Sequence, residues 1–211
     1  ADLLLENAEQ RIYEIRSGRD SSALTPLSSS MVETLTNLQK ISGPDADKYK
    51  GIPTGFRLLD TVLTGLGRGD LVILAARPGM GKTSMALNVA LSAARESGKT
   101  VAIFSLEMSK EQLVTRLIAS EGLVENQRLI TGNLRESDWQ RIAEAASALS
   151  RMDIRIDDNP LLTVADMNAK CRRLENLGLV VIDYLQLMTS AGGKGYSGEN
   201  RQQAVSDISR M

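Results

Sequence analysis

The densest chemistry in the chain lies in Ala76-Arg77-Pro78-Gly79-Met80-Gly81-Lys82-Thr83, followed by Ser84. Two glycines, a lysine and a hydroxyl residue in this order read as a phosphate-binding loop. Gly79 and Gly81 let successive backbone N–H groups turn into one concavity. A helix opening at about Lys82 presents its unpaired N–H groups to phosphate oxygens. Lys82 offers a point charge to the β- and γ-phosphates, the Thr83 hydroxyl is a ligand for Mg²⁺, and Ser84 adds a contact to the α-phosphate. The strict pattern G-x-x-x-x-G-K-[ST] has a glycine where Ala76 stands, and the anion cradle survives that change. The nucleotide and cofactor expected here are ATP and Mg²⁺.

Such a loop needs a carboxylate on the metal side and a base for the attacking water. Two apolar strands end in aspartate. Asp183 closes Leu179-Val180-Val181-Ile182, an all-apolar run that suits a central strand beside the loop. Asp157 closes Ile154-Arg155-Ile156, which alternates and suits a half-exposed strand. Asp183 is therefore the expected metal acid. Glu107 follows Val101-Ala102-Ile103-Phe104-Ser105-Leu106, and ligands in open parallel sheets sit beyond the carboxyl ends of strands. The chain contains no histidine, which removes Ser-His triads, His-based zinc sites and His general bases together. Glu107 is left as the expected catalytic base, with Lys82 as its catalytic partner at the phosphates.

These residues must be positioned by alternating strands and helices. Asp70–Ala76 is a continuous apolar run, expected to be a central parallel strand buried on both faces. Helices are expected at 83–96, 110–121, 136–149 and 164–174, and strands at 100–106, 153–157 and 179–182. The order implies an α/β fold, a P-loop NTPase with a parallel central sheet flanked by helices, which the family resemblance given below makes RecA-like. A helical N-terminal part precedes it. Residues 1–16 carry apolar residues at helical spacing. Residues 17–50 form a linker holding a helix at 27–41, with Thr25 as N-cap, Pro26 at the first helical position, and Leu27, Met31, Leu35 and Leu38 as a narrow apolar stripe. Residues 51–211 form the ATPase domain. With only these strands the sheet has an uncovered edge, so the domain is expected to be incomplete on its C-terminal side.

Composition narrows the class. Of 211 residues, 42% are hydrophobic, 24% charged and 3% aromatic, so the core must be built from aliphatic side chains and Met. No apolar run reaches the roughly 20 residues needed to span a bilayer, no secretory signal precedes the helices, and a cytoplasmic, non-membrane protein is expected. The net charge of −1 gives no bulk basic footprint for nucleic acid, although a few basic residues per subunit add up around a ring. Cys171 is the single cysteine, expected as a partly buried small hydrophobe.

Several motifs in order resemble one family. Gly51-Ile-Pro-Thr-Gly-Phe56, Leu59-Asp60, the phosphate loop, Phe104-Ser-Leu-Glu-Met108 and Ile182-Asp-Tyr-Leu-Gln-Leu-Met188 are similar, in order and spacing, to the motor domain of bacterial DnaB-type helicases. So are Thr131-Gly-Asn133 with Asp138-Trp139, Glu199-Asn-Arg-Gln-Gln203, and the alanine at position 76. The likeness runs through nearly the whole chain.

The resemblance implies Lys82 and Thr83 as phosphate and magnesium contacts, Glu107 as catalytic base and Asp183 as the Mg²⁺ acid. It implies a homohexamer that translocates on single-stranded DNA at the replication fork, with a primase and a helicase loader as partners, in a bacterial, nucleoid-associated setting. Residues 1–16 resemble the last helix of the family's N-terminal collar, and 27–41 its linker helix, which docks on a neighbouring subunit. Most of the collar, the arginine finger offered in trans and the main DNA-contacting loops have no counterpart in the sequence, so the chain alone is not expected to unwind DNA. Two rival readings stay open: another RecA-like ATPase, such as a recombinase or a KaiC-type switch, and a nucleotide-binding assembly module that does not unwind.

Overall fold

The computed structural model describes residues 26–43 and 50–183. The contacts divide the chain into two units, Ala1–Tyr49 and Lys50–Met211. In the first unit, α1 spans Leu27–Ile41, with Pro26 in extended conformation as its N-cap and no side-chain capping bond. The helix therefore opens one residue later than Pro26. Thr25 and the expected helix at 1–16 lie outside the described residues.

The second unit runs α2 (Arg57–Leu63), α3 (Lys82–Ser97), β1 (Thr100–Ser105), α4 (Lys110–Glu121), α5 (Asn126–Thr131), α6 (Glu136–Leu149), β2 (Ile154–Asp157), α7 (Val164–Cys171) and β3 (Leu177–Asp183). The three strands form a parallel sheet in the order β2-β1-β3. β1 is central and all six of its residues are buried. Its period of two sorts the core into layers. Val101 and Ile103 pack with Leu87, Ala90, Leu91 and Ala94 of α3 and with Leu113 and Leu117 of α4. Ala102 and Phe104 pack on the other face with Leu162, Met167 and Cys171. Each fully buried aliphatic, such as Ile103 or Leu113, contributes roughly 1.5–3 kcal/mol. Burial also pushes the Cys171 thiol above its ordinary pKa, as expected for an inert core cysteine.

The expected strand at Asp70–Ala76 does not form. The segment is unpaired, and Leu71, Val72, Ile73 and Leu74 are exposed. An apolar run becomes a strand only when neighbours complete its ladder. Among the described residues none pairs with it, and β3 pairs only with β1. The central strand of this sheet is thus β1. Two short helices, α2 and α5, are not foretold by the sequence because neither buries a residue and so neither carries a clear periodic signal.

Three of the motifs that carried the family resemblance prove to be structural clasps. Asp60 Oδ1 accepts from the Thr54 backbone N–H at 2.8 Å and from the Thr54 hydroxyl at 2.7 Å, pinning the turn before α2. Ile52 bridges Leu66 in antiparallel fashion, and Gly51 is required there because a Cβ would lie 2.5 Å from the Leu66 backbone. Asp138, buried in α6, accepts from the Arg135 N–H at 3.0 Å and from Arg128 at 3.3 Å. The Arg135 backbone N–H and the Arg128 guanidinium hold its carboxyl below the ordinary range, against the burial that raises it.

Candidate nucleotide site

The phosphate loop is shaped by backbone geometry. Gly79 and Gly81 have φ of 79° and 85°, and a Cβ at either would meet nothing within 4 Å. Glycine is needed for its left-handed backbone and not for space. Gly81 is the N-cap of α3, and its carbonyl accepts from Met85 N–H at 2.9 Å. The N–H groups of the first turn are thereby left facing out of the helix end, where an anion fits. Downstream, α3 is anchored by its Leu87, Ala90, Leu91 and Ala94 face, and Gly98 in left-handed conformation closes it.

Asp183 arrives at the same place from β3. Ser105 pairs with Asp183 in the β1–β3 register, and the Leu106 N–H donates to the Asp183 carbonyl at 2.8 Å. The side chain then spans two residues of the loop helix. Lys82 Nζ lies 2.8 Å from Asp183 Oδ1, and the Thr83 hydroxyl donates to Asp183 Oδ2 at 2.7 Å. The Asp183 side chain is only 9% exposed, so both oxygens of a nearly buried carboxylate have partners, as burial demands. Asp157, the other strand-ending aspartate, sits on the edge strand β2, paired with Lys170 and accepting from the Asn159 N–H.

Glu107 stands just past β1 on a turn that Ser105 brackets. The Ser105 hydroxyl donates to the Met108 carbonyl at 2.7 Å and accepts from the Met108 N–H at 3.2 Å. Buried Leu106 anchors the turn from below. Ser109 and Gln112 then form a reciprocal capping box that starts α4, as the spacing S-x-x-Q foretells. Glu107 itself is exposed.

A cleft of about 1180 Å³ brings these parts together. Ala76, Arg77, Pro78, Gly79, Gly81, Lys82, Thr83, Ser84 and Glu107 line it, whereas Met80 and Asp183 do not. Met80 points to solvent, 74% exposed. Asp183 does not line the cleft but contacts two residues that do, Lys82 and Thr83. The opposite wall is not anticipated by the motifs: α4 contributes Gln112, Arg116 and Ser120 and α3 contributes Asn88. Gln112 and Arg116 are four apart and flank the buried positions Leu113 and Leu117. That helical spacing was the available signal. Ser120 donates to Asn88 at 3.0 Å, tying α4 to α3 along the cleft.

The donor set suits a hard cation. One carboxylate and one hydroxyl meet at the helix end, and among the described residues no group of three or more His, Cys, Asp or Glu could hold a metal by itself. That is the provision expected for Mg²⁺, which takes one or two protein oxygens, waters and phosphates. Thr83 and Asp183 would hold it. None of the described helices is long and apolar enough to cross a membrane.

Residues 51–211 match the DnaB-like helicase C terminal domain. The chain is 46% identical over 212 residues to the replicative DNA helicase DnaB of Geobacillus stearothermophilus, covering 99% of this chain and 46% of that protein. It is 46% identical over 210 residues to the replicative DNA helicase DnaC of Bacillus subtilis, covering 98% and 45%. A solved DnaB-like replicative helicase, studied with its interactions with primase, superposes with a TM-score of 0.78 at 26% identity, over 97% of this chain and 49% of that one. A second solved structure, an ATPase domain, gives a TM-score of 0.78 at 27% identity, over 89% and 67%. The chain spans about half the length of the curated relatives it matches.

Proposed function

Because the chain belongs to the family of the DnaB-like helicase C-terminal domain, we propose that it is the MgATP-hydrolysing motor of a replicative DNA helicase. The observation that carries this reading is the meeting of Lys82, Thr83 and Asp183 at the opening of α3, with Glu107 on the wall of the same cleft. Lys82 and the N–H groups of the loop bind the phosphates. Thr83 and Asp183 would hold Mg²⁺, which would supply charge neutralisation at the phosphates. Glu107 takes the proton of the attacking water. The complete protein works as a cytoplasmic, nucleoid-associated homohexamer that moves on single-stranded DNA and opens the fork, served by a loader and meeting a primase. The rival, an assembly module that binds nucleotide without unwinding, predicts ATPase activity indifferent to DNA. Single-stranded DNA is expected to stimulate ATP hydrolysis by the complete protein, and an unstimulated rate would remove the helicase reading.

The two candidate metal acids have different expected phenotypes. Asp183→Asn weakens Mg²⁺-dependent nucleotide binding, because Asp183 holds Thr83 at 2.7 Å. Asp157→Asn changes it little, because Asp157 is engaged with Lys170 away from the cleft lining. Titrating Mg²⁺ against a fluorescent ATP analogue reads the ranking, and the reverse order would move the metal to β2.

A further DNA contact, besides the family's main DNA-contacting loops, is proposed for the Gly/Ser-rich segment 189–198, which lies outside the described residues; the competing reading is a plain solvated loop. It carries Lys194 and Tyr196, a charge and a stacking ring, a few residues after Asp183. Stacking on one aromatic is worth about 1–3 kcal/mol per base. Tyr196→Ala is expected to weaken single-strand affinity of the intact hexamer roughly tenfold or more on that basis, and Lys194→Ala to lower the salt slope by about one. Unchanged affinity and slope in both variants would take the DNA contact elsewhere.

A further inference from the structure

The turn that carries Glu107 is anchored on both sides. Upstream, β1 ends against its two neighbours, with Phe104 paired to Asp157 of β2 and Ser105 to Asp183 of β3. Downstream, α4 opens at Lys110, and the first N–H groups of a helix have no partner within it. The Ser109 hydroxyl accepts from the Gln112 N–H at 3.4 Å, and the Gln112 side chain accepts from the Ser109 N–H at 3.2 Å. The Lys110 N–H, the first of the helix, donates instead to Asp158 Oδ2 at 3.0 Å, across 48 residues of sequence. A carboxylate suits that place, since it faces the positive end of the helix dipole, and the Lys110 N–H holds the Asp158 carboxyl below its ordinary pKa. Asp158 is itself held on both sides. Asp157, the last residue of β2, pairs with Lys170 and accepts from the Asn159 N–H. Asn159 Oδ1 accepts from the Leu161 N–H at 3.0 Å, and Leu162 is buried. Asp158 does not line the nucleotide cleft, whereas Glu107 and Met108 do.

We infer that Asp158 is a positioning residue for the catalytic base: by tying the first turn of α4 to the end of β2, it sets where Glu107 stands in the cleft. This rests on the reading of Glu107 as the base. The rest of α4 does not depend on the clasp. Leu113 and Leu117 are buried, Ser120 donates to Asn88, and Glu121 pairs with Arg95 of α3. Loss of the clasp therefore loosens the Glu107 turn and leaves the phosphate loop, which opens α3, in place. A base must lie within hydrogen-bond reach of the water it deprotonates, and a misplacement of about 1 Å can cost on the order of 10²-fold in rate.

The test uses the complete protein, with kcat and the Kd for MgATP measured separately. Asp158→Ala is expected to lower kcat by about tenfold or more and to leave Kd within about twofold of the parent. Asp158→Asn keeps an oxygen that accepts from the Lys110 N–H, and it is expected to restore most of the rate. Asp153→Ala is the matched control. Asp153 stands at the other end of β2, where it accepts from the Thr100 hydroxyl at 2.6 Å and pairs with Arg155. Its loss should lower the melting temperature without lowering kcat. Equal losses of kcat in Asp158→Ala and Asp153→Ala, a loss of affinity as large as the loss of rate, or no recovery in Asp158→Asn would each overturn the positioning role. So would a parental kcat in Asp158→Ala beside an inactive Glu107→Gln, and that result leaves the base assignment standing. A Glu107→Gln protein with the parental rate would overturn both.

Discussion

Glu107→Gln in the complete protein is expected to bind MgATP as the parent does and to hydrolyse it at least ~10²-fold more slowly. The amide keeps the shape of the side chain and the Ser105–Met108 turn that carries it, but it cannot take a proton from water. The phosphate cradle is expected to stay in place, because Asp183 of β3 holds Lys82 and Thr83. Lys82→Ala gives the contrasting result, with affinity and turnover lost together. That variant also removes one of two partners from a nearly buried carboxylate, so its fold must be checked by circular dichroism before the loss is assigned to phosphate contact. Single-turnover hydrolysis beside equilibrium binding separates the two variants. A Glu107→Gln protein that hydrolyses ATP at the parental rate would end the assignment of the base.

The site was legible where a residue's role depends on a short stretch of chain. The order of Gly79, Gly81, Lys82 and Thr83 dictates a left-handed turn opening a helix, and φ values of 79° and 85° with α3 beginning at Lys82 follow from it. Ser109 with Gln112 and Thr163 with Asp166 form capping boxes at the starts of α4 and α7, a local signal that was present but unread. The choice of Asp183 over Asp157 rests on an expected central strand, but among the described residues β2 and β3 both flank the central β1; what separates the two acids is the contact of Asp183 with Lys82 and Thr83. What failed depends on partners distant in sequence. Residues 71–74 are as apolar as any strand in the chain, yet they lie exposed, because hydrophobicity selects a buried place and only a neighbouring backbone makes a ladder. The wall of Gln112, Arg116 and Asn88 went unread for a related reason, since the spacing of Gln112 and Arg116 places them on one helix face but does not say what that face lines. Polar residues on a helix read as solvated until the fold shows that they line a cleft.

The other large expected effect concerns assembly, and it rests on α1. Leu27, Met31, Leu35 and Leu38 recur at spacings of four, four and three, which places them on one face of the helix. They are 74%, 52%, 57% and 52% exposed. A helix of 15 residues is marginal in water on propensity alone, and α1 opens without a side-chain cap. Lys40 in its last turn complements the helix dipole, but this is worth only about 0.3–1 kcal/mol. Burial of the stripe stabilises far more, at roughly 1.5–3 kcal/mol for each side chain fully covered. Packing within its own subunit is one destination. The other is a neighbouring subunit, which the polar stretches on either side of the helix, 17–22 and 42–49, give it the reach to find. A head-to-tail contact of this kind repeats around a ring and closes it. Leu35→Asp puts a charge in the middle of the stripe, where covering it would cost several kcal/mol. The complete protein with this change is expected to lose hexamer at concentrations where the parent stays assembled, while its motor domain keeps its helical signal and binds MgATP. Sedimentation velocity across a dilution series, with circular dichroism beside it, reads both. A variant that remains hexameric at the lowest concentration would place the stripe against its own subunit.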